Sequence, residues 1–249
     1  MNIILIDPAE VSAAGNVTLH DRRLNHIRKV LRGKVGDSIR IGLLNGLMGS
    51  GVVGELSRDR AILTIRADTT PPAKKPIDLI LALPRPIMLK RILAQAASMG
   101  IARIFLINAN RVEKSFFNAS LLTEENLAEC LRHGLEQAVD TTLPELSVHH
   151  RFRPFVEDAL PPIAAACAIR LVAHPDTALL LPQAAPEPAN KRILLAIGPE
   201  GGWVDFEIAR FRDQGLTPFT MGPRILRMDT AVPALLAQID LLGQLPAQT

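Results

Sequence analysis

Two short stretches in the last quarter of the chain carry residues whose types and spacing could do chemistry. The first, GPEGGW, sets Gly198, Pro199, Glu200, Gly201 and Gly202 directly after the apolar run Leu194–Ile197. The second, MGPRILRMD, sets Gly222 and Pro223 before Arg224, Arg227 and Asp229. Glycines let backbone N–H and C=O groups approach a flat ligand closely. Two arginines beside such a turn suit a phosphate or a negative charge that develops during reaction. Neither stretch is a common nucleotide fingerprint. A Walker A loop ends in Gly-Lys-Ser/Thr, and a dinucleotide loop reads G-x-G-x-x-G after the first strand of its unit. GLLNGLMGSG (Gly42–Gly51) also lacks the lysine and reads as hairpin turns.

The elements that must position these turns alternate along the chain. IDLILAL reads as a buried strand, Pro86–Met99 as a helix, ARIFLI as a strand, and Thr123 caps a helix running to about Val139. Strands IRLVAH and RILLAIG follow, then a helix opened by Asp205, the short strand TPFTMG and the closing helix TAVPALLAQIDLLGQ. Strands apolar on both faces that alternate with helices predict an α/β fold, a parallel sheet with helices on both faces. In open sheets of this kind, ligands bind at the carboxyl ends of the strands. LPQAAPEPAN reads as a surface loop.

The proline- and lysine-bearing DTTPPAKKP (Asp68–Pro76) divides the chain into expected domains 1–72 and 73–249. The first contains SIRIGLL, GVVGEL and AILTIRA, short candidate strands that predict a small β-barrel. One helix interrupts them, capped by Asp21, with Leu24, Ile27 and Leu31 on its apolar face. Its polar side carries Arg22, Arg23, Arg28, Lys29 and Arg32. Residues 1–76 hold 12 Lys/Arg and 7 Asp/Glu, against 16 and 18 in residues 77–249, so the positive charge is concentrated where a polyanion would dock.

A chain of 249 residues with 48% hydrophobic and 21% charged residues is neither disordered nor membrane-spanning, and no apolar run approaches a membrane helix. The start MNIILIDPAE lacks the basic region and cleavage site of a secretory signal. Cys130 and Cys167 read as two buried thiols in a reducing cytoplasm. No metal is expected: His149 and His150 are adjacent without a partner ligand in sequence and read as a solvated strand end.

GPEGGW followed about twenty residues later by MGPRILRMDTA resembles the signature pair of the SPOUT-class RNA methyltransferases, and more closely that of the RsmE family. The likeness spans the chain through HIRKVLRGKVGD, LALPRPIMLKRILAQAASMGIARIFLINANRVEKS and GLEQAVDTTLPEL, in that order. Asp229 stands where the family usually has glutamate, and Trp203 replaces a typical phenylalanine. The resemblance implies a SPOUT-type trefoil-knotted sheet preceded by a PUA-like RNA-binding domain, a homodimer, and S-adenosylmethionine-dependent methylation of uridine N3 in 16S rRNA of the 30S subunit. It implies a cofactor site on Val172, Ala173, His174, Ile197, Gly198, Pro199, Gly201, Gly202, Met221, Gly222, Ile225, Leu226 and Arg227. Arg224 and Arg227 are expected to orient RNA and stabilise the uridine anion. Asp229 or Glu200 would take the N3 proton, or would hold an arginine or cap a helix. The basic N-terminal helix would contact the RNA. The alternative readings are a non-catalytic RNA-binding protein on the same scaffold, and a small-molecule enzyme using a nucleotide in the same cleft.

Overall fold

The structure, a computed structural model, describes residues 1–245, which form two compact units. The first comprises Met1–Ala73 together with Leu131–Leu143. Its strands are β1 (Ile4–Ile6), β2 (Asn16–Leu19), β3 (Ser38–Leu43), β4 (Met48–Leu56) and β5 (Ala61–Thr69), with a single-turn helix α1 (Arg22–Asn25) after β2. The sheet order is β1-β3-β4-β5-β2, so the expected barrel is instead a curled, open sheet with β1 and β2 at its edges. The reason lies in the core. Leu24 and Ile27 are buried with Ile6, Leu19, Ile41 and Leu63, so helical side chains fill the open side of the curl.

That helix does not continue as its apolar spacing predicts. After Asn25 the backbone widens into a π turn over His26–Val30, with Leu31 N–H donating to the His26 carbonyl at 3.0 Å. The extra residue per turn rotates the register, and Leu31, expected in the core, is exposed.

The second unit comprises Lys74–Cys130 and Pro144 onward. Its strands are β6 (Lys75–Ala82), β7 (Ile101–Ile107), β8 (Glu145–His149), β9 (Ile169–Ala173), β10 (Ile193–Ile197) and β11 (Thr217–Phe219). They form a wholly parallel sheet in the order β11-β9-β10-β6-β7-β8. Between them run α2 (Pro86–Ser98), α3 (Glu124–Ala138, whose second half belongs to the first unit), α4 (Phe152–Pro154), α5 (Leu160–Ala165), α6 (Leu181–Ala184) and α7 (Asp205–Asp213). The last helix, α8 (Met228–Gln244), accepts Pro233 in its second turn and buries Val232, Leu235, Leu236 and Ile239. The helix α6 lies in the stretch expected to be loop. His149, expected to be solvated, is half-buried against Phe105 and Phe155, and burial lowers its pKa.

One buried charge organises the amino ends of the strands. Asp78 on β6 is 0% exposed and accepts paired bonds from Arg103 of β7 (3.0 and 2.6 Å) and from Arg192 just before β10 (2.8 and 2.8 Å). The Cys167 thiol, just before β9, lies 3.5 Å from the same carboxylate. Burial alone would push the Asp78 carboxyl up, but hydrogen bonds from the two guanidiniums and their charges hold it below the usual carboxylate range. Burial, with the Asp78 charge added, pushes the Cys167 thiol up to about 11, so it stays protonated.

A lowered folded-state pKa means that Asp78 contributes stability above its unfolded value of about 4 and loses it as pH falls through the folded value. Asp78→Asn should cost roughly 3 kcal/mol at neutral pH, because two arginines lose their counter-charge. Urea unfolding followed from pH 6 to pH 3 should show a steeper acid loss in the wild type than in Asp78→Asn. Equal slopes would mean that the carboxylate is not ionised in the fold.

Candidate functional site

At the opposite, carboxyl end of the sheet three turns converge. Strand β9 lies between β10 and β11 and is in register with both, Ala196 beside Val172 and Phe219 beside Ala173. The chain therefore leaves β9 at His174, β10 at Gly198 and β11 at Thr220 side by side. His174 N–H donates to the Phe219 carbonyl at 2.9 Å, and Thr220 N–H to the Leu179 carbonyl at 2.8 Å, which ties the first turn to the third. Together with the start of α8 they enclose a cavity of about 330 Å³.

Most of the residues singled out in the sequence meet here. Ala173, His174, Ile197, Gly198, Pro199, Glu200, Gly201, Gly202, Met221, Arg224, Ile225, Leu226 and Arg227 all line the cavity. Val172, Gly222 and Asp229 do not. Val172 is sealed inside β9. Gly222 shapes the third turn, with φ +114° and its N–H and C=O bracketed by the Thr220 hydroxyl at 3.3 and 3.1 Å. Asp229 sits in the first turn of α8 and faces the Arg227 guanidinium at 3.5 Å. Glu200 and Arg224 are exposed at the mouth, and Ile225 is 83% exposed beside them.

The lining also includes residues not expected there from the sequence: Phe219, Met228, Ala231, Leu235 and Trp203. Ala231 and Leu235, four apart on α8, form one wall, and nothing in an apolar helix stripe separates a wall from a core. Trp203 is almost fully buried, yet among the described residues its indole N–H has no partner, and neither does His174 Nδ1. A flat ligand with polar edges would supply what these two atoms lack. Gly198 serves the tryptophan first: a Cβ there would stand 3.0 Å from the indole nitrogen.

Two residues not read from the sequence hold the second turn in place. Glu207 of α7 is buried, and its two carboxylate oxygens accept N–H bonds from Asn110 (2.7 Å) and Val204 (2.9 Å). It thereby joins the loop after β7 to the end of the GPEGGW turn. From that same loop the Arg111 guanidinium donates to the Gly201 carbonyl, and its side chain crosses the turn so closely that a Cβ at Gly201 would lie 2.9 Å from Arg111 Cδ. The signal for Glu207 was a carboxylate three residues beyond Val204, the spacing that caps a helix, but the reach to residue 110 is tertiary.

The basic residues of the first unit are not equivalent. Asp21 caps α1 as its position predicts, accepting from Arg23 N–H at 2.8 Å. The Arg23 side chain is nearly buried and bonded to Glu10, Asp21 and the Leu5 carbonyl; the Glu10 bond above all raises its pKa. Arg22 reaches Glu136 at 2.7 Å. Arg28 donates to the Arg58 carbonyl, while Lys29 and Arg32 are exposed, Arg32 in the left-handed region at φ 53°. Among the described residues no group of His, Cys, Asp and Glu could hold a metal ion, and no helix is long and apolar enough to cross a membrane.

Removing the Glu207 carboxylate should release the second turn. Glu207→Ala leaves two part-buried N–H groups without their carboxylate, a cost of roughly 1–3 kcal/mol. Hydrogen exchange should then accelerate at Asn110 and Val204 together, more than at β6. Unchanged protection at both amides would show that the carboxylate does not hold them.

The chain matches the family model described as an RNA methyltransferase domain over residues 71–240. It is 30% identical over 243 residues to ribosomal RNA small subunit methyltransferase E of Treponema pallidum, covering 96% of this chain and 90% of that protein. The corresponding Synechocystis protein is 29% identical over 245 residues, covering 96% of this chain and 77% of the relative. Among solved structures, a methyltransferase from Legionella pneumophila in complex with SAM superposes with a TM-score of 0.76 at 20% identity, covering 96% of this chain and 97% of that one. Ribosomal RNA small subunit methyltransferase E from Neisseria gonorrhoeae, bound to S-adenosyl methionine, gives 0.75 at 23% identity, with 97% and 98% covered. With its carboxyl-terminal turns, its parallel sheet and this likeness over nearly the whole length, the chain belongs to the RNA methyltransferase family, among the ribosomal RNA small subunit methyltransferases E.

Proposed function

We propose that the protein is an S-adenosylmethionine-dependent methyltransferase of small-subunit ribosomal RNA, acting on uridine N3 in 16S rRNA. The observation that carries this reading is the cavity built by three backbone turns, with arginines at its mouth. Its chemistry fits the cofactor: apolar walls from Ile197, Leu226, Ala231 and Leu235 for a flat base, and Trp203 Nε1 and His174 Nδ1, unpartnered among the described residues, for polar edges. When bound, S-adenosylmethionine supplies an electrophilic methyl group on a positive sulfur.

What remains for the chain is to place uridine N3 in line with that methyl and to favour loss of the N3 proton. Positioning supplies much of the rate in such a transfer. Arg227, at the mouth, has a guanidinium that can stabilise the uridine anion as it forms, and Asp229 orients it through their ion pair. Arg224 beside it holds the RNA backbone. We assign acceptance of the proton to Glu200, a reading supported by its exposure at the mouth. In the first unit, which we assign as PUA-like, Arg28, Lys29 and Arg32 meet phosphates, whereas Arg23 is already committed to carboxylates within its unit.

The reading includes the trefoil knot, in which the turns after β9, β10 and β11 wrap the cofactor. The position of β9 between β10 and β11 supports it. It also includes a cytoplasmic location and a homodimer, the latter supported by the exposed Ile225 and Leu226 beside the cavity.

Two measurements test the reading. Ala231→Phe fills the cavity from a helical position without altering any turn, so calorimetry should show S-adenosylmethionine binding lost while circular dichroism is unchanged. Wild-type affinity in this variant would place the cofactor elsewhere. Arg227→Ala should slow single-turnover methylation of 16S rRNA or 30S subunits by roughly 100-fold, the scale of losing one donor to a developing anion. RNA affinity should change far less, and the wild-type product should be 3-methyluridine. An unchanged single-turnover rate would make Arg227 structural, and a methylated base other than uridine would end the substrate assignment.

A further inference from the structure

We infer that the catalytic unit carries its own RNA-docking surface, centred on Phe206 with Arg151, Arg153 and Arg210, that grips single-stranded rRNA flanking the target nucleotide. The inference rests on the function proposed above. Phe206 lies in the first turn of α7 and is 42% exposed. The Arg153 guanidinium lies 5.0 Å from its ring centre and that of Arg210, one helical turn on, 5.5 Å. Arg210 also pairs with Asp213 at 3.2 Å. Arg151 and Arg153, both exposed, form no ion pair among the described residues.

An exposed aromatic ring flanked by guanidiniums, with unpaired positive charge beside it, is poorly suited to the core and well suited to nucleic acid. A guanidinium stacked on a ring keeps its N–H edge free in its own plane, where a phosphate can be met. The ring and the guanidinium planes offer faces on which bases stack without regard to sequence.

The surface is fixed to the site by aromatic packing. Phe206 neighbours Phe152 (6.3 Å between ring centres), Phe152 meets the buried Phe211 edge-on (5.5 Å, 88°), and Phe211 packs on Trp203 (4.9 Å), which lines the cavity. Trp203 and Phe206 are three positions apart in the chain, so their Cα atoms are at most about 11 Å apart. RNA held on this surface therefore lies beside the wall of the cavity that Trp203 forms.

The test uses the full-length protein as wild type, Phe206→Ala, Phe206→Leu and Arg151→Ala/Arg153→Ala. Anisotropy with a labelled single-stranded 16S rRNA fragment, read across salt concentrations, is compared with S-adenosylmethionine calorimetry and sedimentation. Each variant should raise the RNA Kd roughly tenfold, the scale of losing one base stack. The double arginine variant should also flatten the salt slope by about 1.4, at roughly 0.7 per lost single-strand contact, whereas the Phe206 variants should not. Cofactor affinity and the single-turnover rate at saturating RNA should stay within twofold of wild type. Phe206→Leu, which keeps apolar volume but loses stacking, guards against a folding defect. RNA affinities within twofold of wild type in all variants would overturn the inference, as would altered sedimentation, which would make the surface a subunit contact. A wild type that binds S-adenosylmethionine but no rRNA would fail the proposed function itself, and this inference with it.

Discussion

The carboxylate of Asp78 is the constraint on which the catalytic unit depends. It is buried at the start of β6 and bonded to arginines that belong to β7 and to the entry of β10, with the Cys167 thiol at the entry of β9 beside it. A buried charge is tolerated only when its partners are held in good geometry, so this cluster permits one alignment of the neighbouring strands and penalises slippage. Parallel strands aligned at their amino ends deliver their carboxyl ends together. That is why the turns after β9, β10 and β11 open side by side, and why the cavity lies at the far end of the sheet from its fixed charge.

The cavity itself is built mainly from backbone and apolar surface, and its precision comes from groups that do not line it. Glu207 fixes the end of the second turn to the loop after β7, and Arg111 crosses Gly201 to hold the same turn. The glycines of GPEGGW therefore answer to protein neighbours: Gly198 to the indole of Trp203 and Gly201 to Arg111. Gly222 differs, since its φ of +114° is a demand of the turn itself and no side-chain neighbour crowds it. Similar glycines in sequence thus carry different physical loads.

Charge is divided by the same logic. Arg23 and Arg22 in the first unit are engaged with carboxylates, and Arg103 and Arg192 in the second neutralise Asp78. Arg153 and Arg224 remain at the surface with no carboxylate partner among the described residues, where a polyanion can reach them, and Arg227 is exposed there beside Asp229. Net charge identified a partner class; only pairing shows which cations are left to meet it.

The sequence by itself determined the alternation of buried strands and helices, the glycine turns that follow β10 and β11, and the arginines beside them. These are local properties: apolar runs, helix periodicity and turn chemistry are written in neighbouring residues. Tertiary structure decided the rest. Leu31 left the core because the chain widened into a π turn, and the expected barrel stayed open because Leu24 and Ile27 fill its side. His149 went from an expected solvated end to an aromatic pocket. Trp203, Ala231 and Leu235 became walls of the cavity, and Glu207 and Arg111 became its braces, through contacts between residues up to about a hundred positions apart. Spacing along the chain reports which face a residue shares with its neighbours, but not what the fold brings against that face.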